Sequence, residues 1–373
     1  MLNWLARYAA VIDQVVDAEG RARTSVLDVG CGPHGLACAL DGVPFVGVDV
    51  EFPQPVAPTM VGIRCRPEGL PFRDDAFGVV LCLDVLEHVP AAERAGFVQE
   101  LARVAAERVI LACPSSEAQA IDDLLVTTFQ TAGTALPSWL TEHYDCGLPT
   151  PDEIAEACAG VDGFRARPLA MPNGLLTTAT TLAELSGPLE DTARHEAHAL
   201  RDAWVALYRS ACFGESARKG WVLERIAPRI PLASHDDLEA TALAALCCPE
   251  CDGALEVDGP DLLRCGSCDL PVARDESRAW DLASPPGFFC APAWRDGDVE
   301  RLLRRFVEQR RGPASLVLYA PPEVIDGSAA LRAAQAAFGD ASVPEALDIA
   351  ILDRALPAAE LSALQASRTV LVA

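Results

Sequence analysis

Two pairs of cysteines carry the sharpest chemistry in this sequence. Cys248-Pro-Glu-Cys251 and Cys265-Gly-Ser-Cys268 are separated by thirteen residues. Each CxxC converges two thiolates from one tight turn, and two such turns make a tetrahedral cage for zinc. Four protein ligands leave no open position for water, so one structural Zn2+ per chain is expected, with Cys247 as an out-of-register bystander. A second concentration lies in Val26 to Gly35, VLDVGCGPHG, an apolar run closing on Gly30, Gly32 and Gly35. Missing Cβ atoms let such a turn take positive φ and bring backbone close to a ligand. After a strand of an open α/β sheet, this is where a nucleoside is held. Asp28, two residues before the first glycine, would repel a pyrophosphate and suits a cationic ligand, which argues against a dinucleotide. Asp49 closes the apolar stretch Val46 to Val50 at about the distance where an acid takes ribose hydroxyls. Asp84 and Glu87-His88 follow a third apolar run, Val79 to Leu83. His88, and His143 in the segment around Trp139, Glu142 and Tyr144, are the candidate bases.

These residues need elements to hold them. Leu2, Leu5, Ala9, Ile12 and Val16 recur at helical spacing and predict an amphipathic helix over 2–18. Strands are expected near 25–29, 45–49, 60–64, 78–83 and 108–112, with a helix start after Gly35 and a helix over 91–105. That alternation predicts a parallel sheet with right-handed crossovers. Residues 116–150 read as helix and then a looped elaboration of the kind that covers a substrate pocket. Gly163 to Ala170 is expected as a last strand and 178–213 as a long helix, whose His195 and His198 read as a solvated face; Ala227 to Asp237, with two prolines, reads as a linker.

The combination resembles a family. Asp28, Gly30, Cys31, Gly32 and Gly35, the acid Asp49, Leu70-Pro71-Phe72 and Asp84 to His88 are together similar to the class I S-adenosylmethionine-dependent methyltransferases, in the ubiquinone and menaquinone branch. The resemblance covers roughly the first 115 residues. It implies a Rossmann-like sheet, the glycine turn under the methionine portion of S-adenosyl-L-methionine, Asp49 on the ribose diol, Leu70 beside the adenine, and Asp84 to His88 near the transferable methyl. Two positions depart from the family pattern: Arg66 stands where an Asp commonly contacts adenine, and Phe77-Gly78 replaces Phe-Asp. The WL-x-EH and GLP segment also resembles methyltransferase-like proteins encoded with bacterial surface-polysaccharide enzymes. The stretch around the cysteine pairs, 242 to 282, resembles small zinc-ribbon proteins that bind and stabilise methyltransferases in trans.

Length and composition bound the rest. The chain has 373 residues, half of them apolar, which allows several domains with real cores and excludes global disorder. Its formal net charge is -24, from 54 acidic and 30 basic residues, a field that repels phosphate backbones and argues against nucleic acid as main partner. No apolar run of ~18 residues spans a membrane and no signal segment stands at the N-terminus, so the fourteen cysteines are expected in a reducing cytoplasm. Cys38, Cys65, Cys82, Cys113 and Cys158 read there as small buried hydrophobes. After an arginine-rich amphipathic helix over Asp296 to Arg311, strands at Ser315 to Ala320, Leu347 to Leu352 and Thr369 to Ala373, with helices at 328–338 and 357–366, make a small α/β unit without a glycine-rich turn or Asp-x-Asp. The expected organisation is thus 1–240, an α/β class I methyltransferase domain with helical elaboration; 241–284, a four-cysteine zinc ribbon; and 290–373, a small α/β domain. The expected activity is methyl transfer to a small molecule or glycan, surface-polysaccharide precursors included, with a possible protein partner through the ribbon or the C-terminal domain. The alternative is a non-catalytic scaffold of the same fold.

Overall fold

The structure is a computed structural model. It describes residues 2–65, 69–185, 199–283, 287–290, 299, 302–303, 306, 314–320, 325, 330, 332, 347–352 and 369–370. Arg66, His195 and His198 lie outside the described residues, as do the helix expected at 357–366 and most of those at 296–311 and 328–338. The chain divides into two compact units, Met1–Leu246 with Asp275–Ala279, and Cys247–Arg274 with Trp280–Ala373.

The first unit is a twisted sheet whose core strands are apolar because both faces are covered. β1 (Val26–Val29), β2 (Phe45–Asp49), β3 (Met60–Arg64), β4 (Phe77–Leu83) and β5 (Ala105–Pro114) are parallel neighbours in the order β3-β2-β1-β4-β5. All seven residues of β4 are buried, as a central strand requires. Two helical pieces, α1 (Leu2–Ala9) and α2 (Ile12–Val15), replace the single helix expected over 2–18. α3 (Arg94–Val104) precedes β5, and α4 (Gln119–Ala132), α5 (Ser138–Cys146) and α6 (Pro151–Ala159) follow it. The five singly placed cysteines expected to be buried are buried.

Four expectations need correction. The sheet is not wholly parallel. β6 (Phe164–Leu169) is followed by α7 (Gly174–Leu185), α8 (Arg201–Ser210) and a further strand, β7 (Arg218–Arg225), which runs antiparallel to both β5 and β6 and lies between them. The stretch around Trp139 is helix α5 rather than loop, bounded by extended Pro137 and by Gly147 at φ +70. Only a short 3-10 turn, Gly35–Cys38, follows the glycines, because Gly42 (φ +71) and Pro44 leave no length for more. Residues 227–237 are also tied to the unit: Arg229 N donates to Ala106 O at 2.9 Å and Ala233 N to Ala76 O at 2.8 Å. α9 (Leu238–Ala245) continues from them.

In the second unit, β8 (Leu255–Val257), β9 (Leu262–Cys265) and β10 (Pro271–Ala273) form an antiparallel sheet. The short β11 (Trp280–Asp281) is joined to it by an antiparallel bridge between Arg274 and Trp280. A parallel sheet, order β14-β13-β12-β15, contains β12 (Gly287–Cys290), β13 (Ala314–Tyr319), β14 (Leu347–Leu352) and β15 (Thr369–Val370). β12 lies in a segment for which the sequence predicts no strand.

Candidate active site

Strand order reverses between β1 and β4, and ligands of open α/β sheets sit outside the carboxyl ends of the strands at such a point. The glycine turn follows β1, and residues 84–88 follow β4. Gly30, Gly32 and Gly35 have φ of +69, +57 and +48, so the turn needs glycine at all three. A Cβ on Gly30 would meet Val85 at 2.2 Å, and one on Gly32 would meet Trp4 at 2.7 Å. Gly30 N donates to Val48 O at 2.8 Å. Asp49, at the end of β2, accepts from Gly32 N at 2.7 Å and from Val50 N at 2.7 Å. Burial raises the Asp49 carboxyl, while those amides act against the rise.

Asp28 is fully buried and accepts from Tyr8 Oη at 2.8 Å and Leu36 N at 2.9 Å. Its place is beneath the turn, bracing it, and its Oδ1 has no hydrogen-bond partner. Burial pushes this carboxyl up to about 7 against the pull of Tyr8 and Leu36. Cys31 is buried too, its Sγ 3.2 Å from Gly32 O, and burial pushes its thiol up. Leu70 N donates to Glu100 at 2.9 Å, and Arg103 donates to Leu70 O and Phe72 O, so α3 holds the Leu-Pro-Phe segment. Gly78 has a steric cause: a Cβ there would lie 2.1 Å from Thr24 Oγ1.

A cavity of about 470 Å3 opens beside the ends of β4 and β5. Asn3, Trp4 and Arg7 of α1 form one wall, and Thr177, Thr178 and Thr181 of α7 another. Asp84, Glu87, His88, Asp122, Trp139, His143 and Arg218 supply its chemistry. Asp84, at φ +58, is bound by Arg218 at 2.6 and 2.5 Å and lies 3.3 Å from Arg7. Burial opposes its charge, but the two guanidiniums outweigh it and hold the carboxyl at about 2.

The two candidate bases meet here. His88 and His143 have ring centroids 5.0 Å apart, and Trp139 stands edge-on to His143 at 5.5 Å. His143 is buried, with Nδ1 2.9 Å from Asp122 Oδ2; a carboxylate there accepts a hydrogen bond from Nδ1–H and leaves the Nε2 lone pair free. His88 Nδ1 lies 2.8 Å from Glu142 Oε2, a close contact rather than an aligned hydrogen bond. Burial and the neighbouring His143 lower the His88 imidazole, against Glu142 and Asp84, which favours the neutral ring. α5 is locked onto the 86–88 turn: Cys146 Sγ is 3.3 Å from His88 O, and buried Arg94 donates to Val89 O, Cys146 O and Gly147 O.

Sequence reasoning missed Trp4, Arg7, Tyr8, Asp122 and Arg218. A signal existed for the first three: one helical face carries two aromatics and an arginine at spacings of three and four. Arg218 has none, since its partner Asp84 is 134 residues away.

The four cysteines gather as their spacing predicts. Their sulfurs lie within 4.8 Å of one another, with Cys248 to Cys268 at 3.6 Å and Cys251 to Cys265 at 3.5 Å. Tetrahedral zinc with Zn–S near 2.3 Å separates sulfurs by about 3.8 Å, so the set fits. The two turns repeat one geometry: Asp252 and Asp269 have φ +57 and +62, and Glu250 N and Ser267 N each lie 3.4 Å from a cysteine sulfur. Burial works against ionisation of Cys265, but the Cys268 and Ser267 amides prevail and bring it down to about 7.

Residues 27–113 match the family described as "Methyltransferase domain". The first unit therefore contains a methyltransferase domain over residues 27–113. No curated protein matches the chain. Similar solved structures include the magnesium protoporphyrin IX methyltransferase of Synechocystis PCC 6803 with bound SAH, 16% identical over 60% of this chain and 84% of that chain, TM-score 0.34. The YcgJ protein of Bacillus subtilis is 15% identical over 59% of this chain and 97% of that chain, TM-score 0.36. A chain of the Haloferax volcanii complex containing the Trm112 methyltransferase activator is 15% identical over 61% of this chain and 91% of that chain, TM-score 0.34. With TM-scores this low, function rests on the family match and the site. Among the described residues no helix is long and apolar enough to cross a membrane.

Proposed function

We propose that the chain transfers the methyl group of S-adenosylmethionine to an oxygen or nitrogen of a small molecule or glycan precursor held in the cavity beside β4 and β5. One observation carries this reading. The cavity brings two buried or half-buried imidazoles, each backed by a carboxylate, to the carboxyl end of β4, next to the glycine turn that Val85 touches. Its volume of about 470 Å3 suits a small ligand. The glycine turn and Asp49 would hold the cofactor, which supplies an electrophilic methyl on a sulfonium. Methyl transfer needs chiefly in-line positioning, and a base where the acceptor atom carries a proton of high pKa. His143, oriented by Asp122, or His88, beside Glu142, takes that proton as the acceptor attacks. When bound, the cofactor would supply the methyl and leave as a neutral thioether that keeps the electron pair of the sulfur–methyl bond.

The cysteine set is proposed as one structural zinc per chain, which makes residues 247–274 a ribbon and a surface for a protein partner. Calorimetry with S-adenosylhomocysteine, followed by a labelled-cofactor screen of small molecules and sugar acceptors, tests the enzymatic reading. Binding with transfer to a small acceptor is expected. Absence of any S-adenosylhomocysteine binding would return the scaffold alternative, and transfer to RNA alone would overturn the acceptor class.

A further inference from the structure

We propose that Glu87, His88 and His143 form a second metal site, for a divalent first-row transition ion, at the wall of the acceptor cavity. The ligand atoms already face one another. Glu87 Oε1 lies 3.9 Å from His88 Nε2 and 4.0 Å from His143 Nε2, and one ligand atom from each residue falls within 4.8 Å of the others. Metal–nitrogen and metal–oxygen bonds near 2.1 Å put tetrahedral ligands about 3.4 Å apart, so the Glu87 contacts close with a shift of roughly half an ångström and the widest separation in the set with at most about 1.4 Å.

Two further features point to a cation. The first is Glu87 itself, 1% exposed, with Oε2 making no hydrogen bond. A buried carboxyl oxygen with no hydrogen bond is costly unless something binds it. The second is the outer layer. His143 Nδ1 is backed by Asp122 at 2.9 Å and His88 Nδ1 by Glu142 at 2.8 Å, which turns both Nε2 atoms toward Glu87. A carboxylate hydrogen-bonded behind an imidazole, as Asp122 is behind His143, fixes the ring and its tautomer and strengthens it as a ligand, while Glu142 stands close behind His88 without an aligned hydrogen bond. Asp84 is not a ligand, because Arg218 and Arg7 already hold it.

Two imidazoles and one carboxylate suit zinc, ferrous iron or cobalt rather than magnesium or calcium. Three protein ligands leave a position open toward the cavity for a hydroxyl or carboxylate oxygen of the bound molecule. With metal in place the two histidines are ligands rather than bases.

The test reads metal binding and not turnover, so its failure leaves the methyl-transfer reading standing. Full-length protein, first given one equivalent of zinc for the cysteine set, is titrated with Co2+. Visible d–d absorption without a thiolate charge-transfer band, saturating at one Co2+ per chain, is expected. Glu87→Gln, which keeps side-chain volume, and His143→Ala should each weaken binding at least ten-fold, and Asp122→Asn should weaken it about ten-fold through His143. Thermal melts identify any variant that fails to fold, and Glu87→Gln decides if His143→Ala does. Absence of that absorption at about 1 mM Co2+ in folded wild type, or unchanged affinity in folded Glu87→Gln, overturns the proposal.

Discussion

Arg218 grips Asp84 with two nitrogens, Nε 2.6 Å from Oδ1 and a terminal nitrogen 2.5 Å from Oδ2, in the lining of the cavity. Both side chains are nearly buried, and Arg218 also reaches Asn3 of α1 at 3.3 Å. One pair therefore ties the last strand of the unit to the end of β4 and to the N-terminal helix.

Arg218→Ala leaves Asp84 with only Arg7 as a counter-charge in a buried place. Breaking such a pair costs about 3–5 kcal/mol, and urea unfolding should show a loss of that order. The pair also sets an acid window. Asp84 is depressed from 3.8 to about 2, so its contribution is present above 3.8 and is lost as pH falls through 2. Acid unfolding followed by circular dichroism should begin at higher pH in Arg218→Ala. An unchanged onset would show the pair to be energetically idle.

Asp28 has the opposite sign. Its folded value is raised from 3.8 to about 7 by burial, so its protonated form is stabilising below about 4 and that stability is lost as pH rises through 7. Asp28→Asn keeps an acceptor for Tyr8 and Leu36 while removing the ionisation. Relative to wild type it should gain on the order of a few kcal/mol between pH 4 and pH 8, measured by urea unfolding at both. An equal difference at the two pH values would count against a buried, protonated Asp28.

The sequence shows most plainly what has a local cause. β1 to β4 stand out as apolar runs bounded by turns, because a strand covered on both faces has no polar side to confuse the pattern. β7 escapes because RKGWVLER begins and ends in charge, and its buried residues, Gly220, Val222 and Leu223, break the alternation of a half-buried strand. α5 escapes because only Leu140 and His143 of its nine residues are buried. The histidines and Glu87 are legible as residue types, whereas their backing acids are not: Asp122 reaches His143 from 21 residues away, and no periodicity encodes that contact.

Asp49 accepts from Gly32 N and, in the proposed cofactor site, would also take the ribose. A buried charge-assisted hydrogen bond contributes about 1.5–3 kcal/mol. Asp49→Ala should weaken S-adenosylhomocysteine binding ten-fold or more in calorimetry, and Asp49→Asn, which still accepts from Gly32, should lose less. Equal affinity in wild type and Asp49→Ala would remove this residue from the cofactor site.

The zinc assignment makes the most direct prediction. The ribbon buries little: Leu255, Leu263, Leu270 and Val272 are its main buried aliphatic residues, held on three short strands. Ordering a residue costs about 1–2 kcal/mol, and so few side chains do not offset that over the segment. Metal binding on the order of 10–16 kcal/mol closes much of the gap. Cysteine sulfurs at 3.5 and 3.6 Å, with backbone amides on Cys248 and Cys265, are already near the spacing zinc requires. Elemental analysis in reducing buffer should find one zinc per chain, and Cys265→Ser should lose it. The segment around residues 247–274 should then become protease-sensitive, while S-adenosylhomocysteine binding in the first unit persists. Much less than one zinc in wild type, or full retention in Cys265→Ser, shows that these four thiolates are not the site.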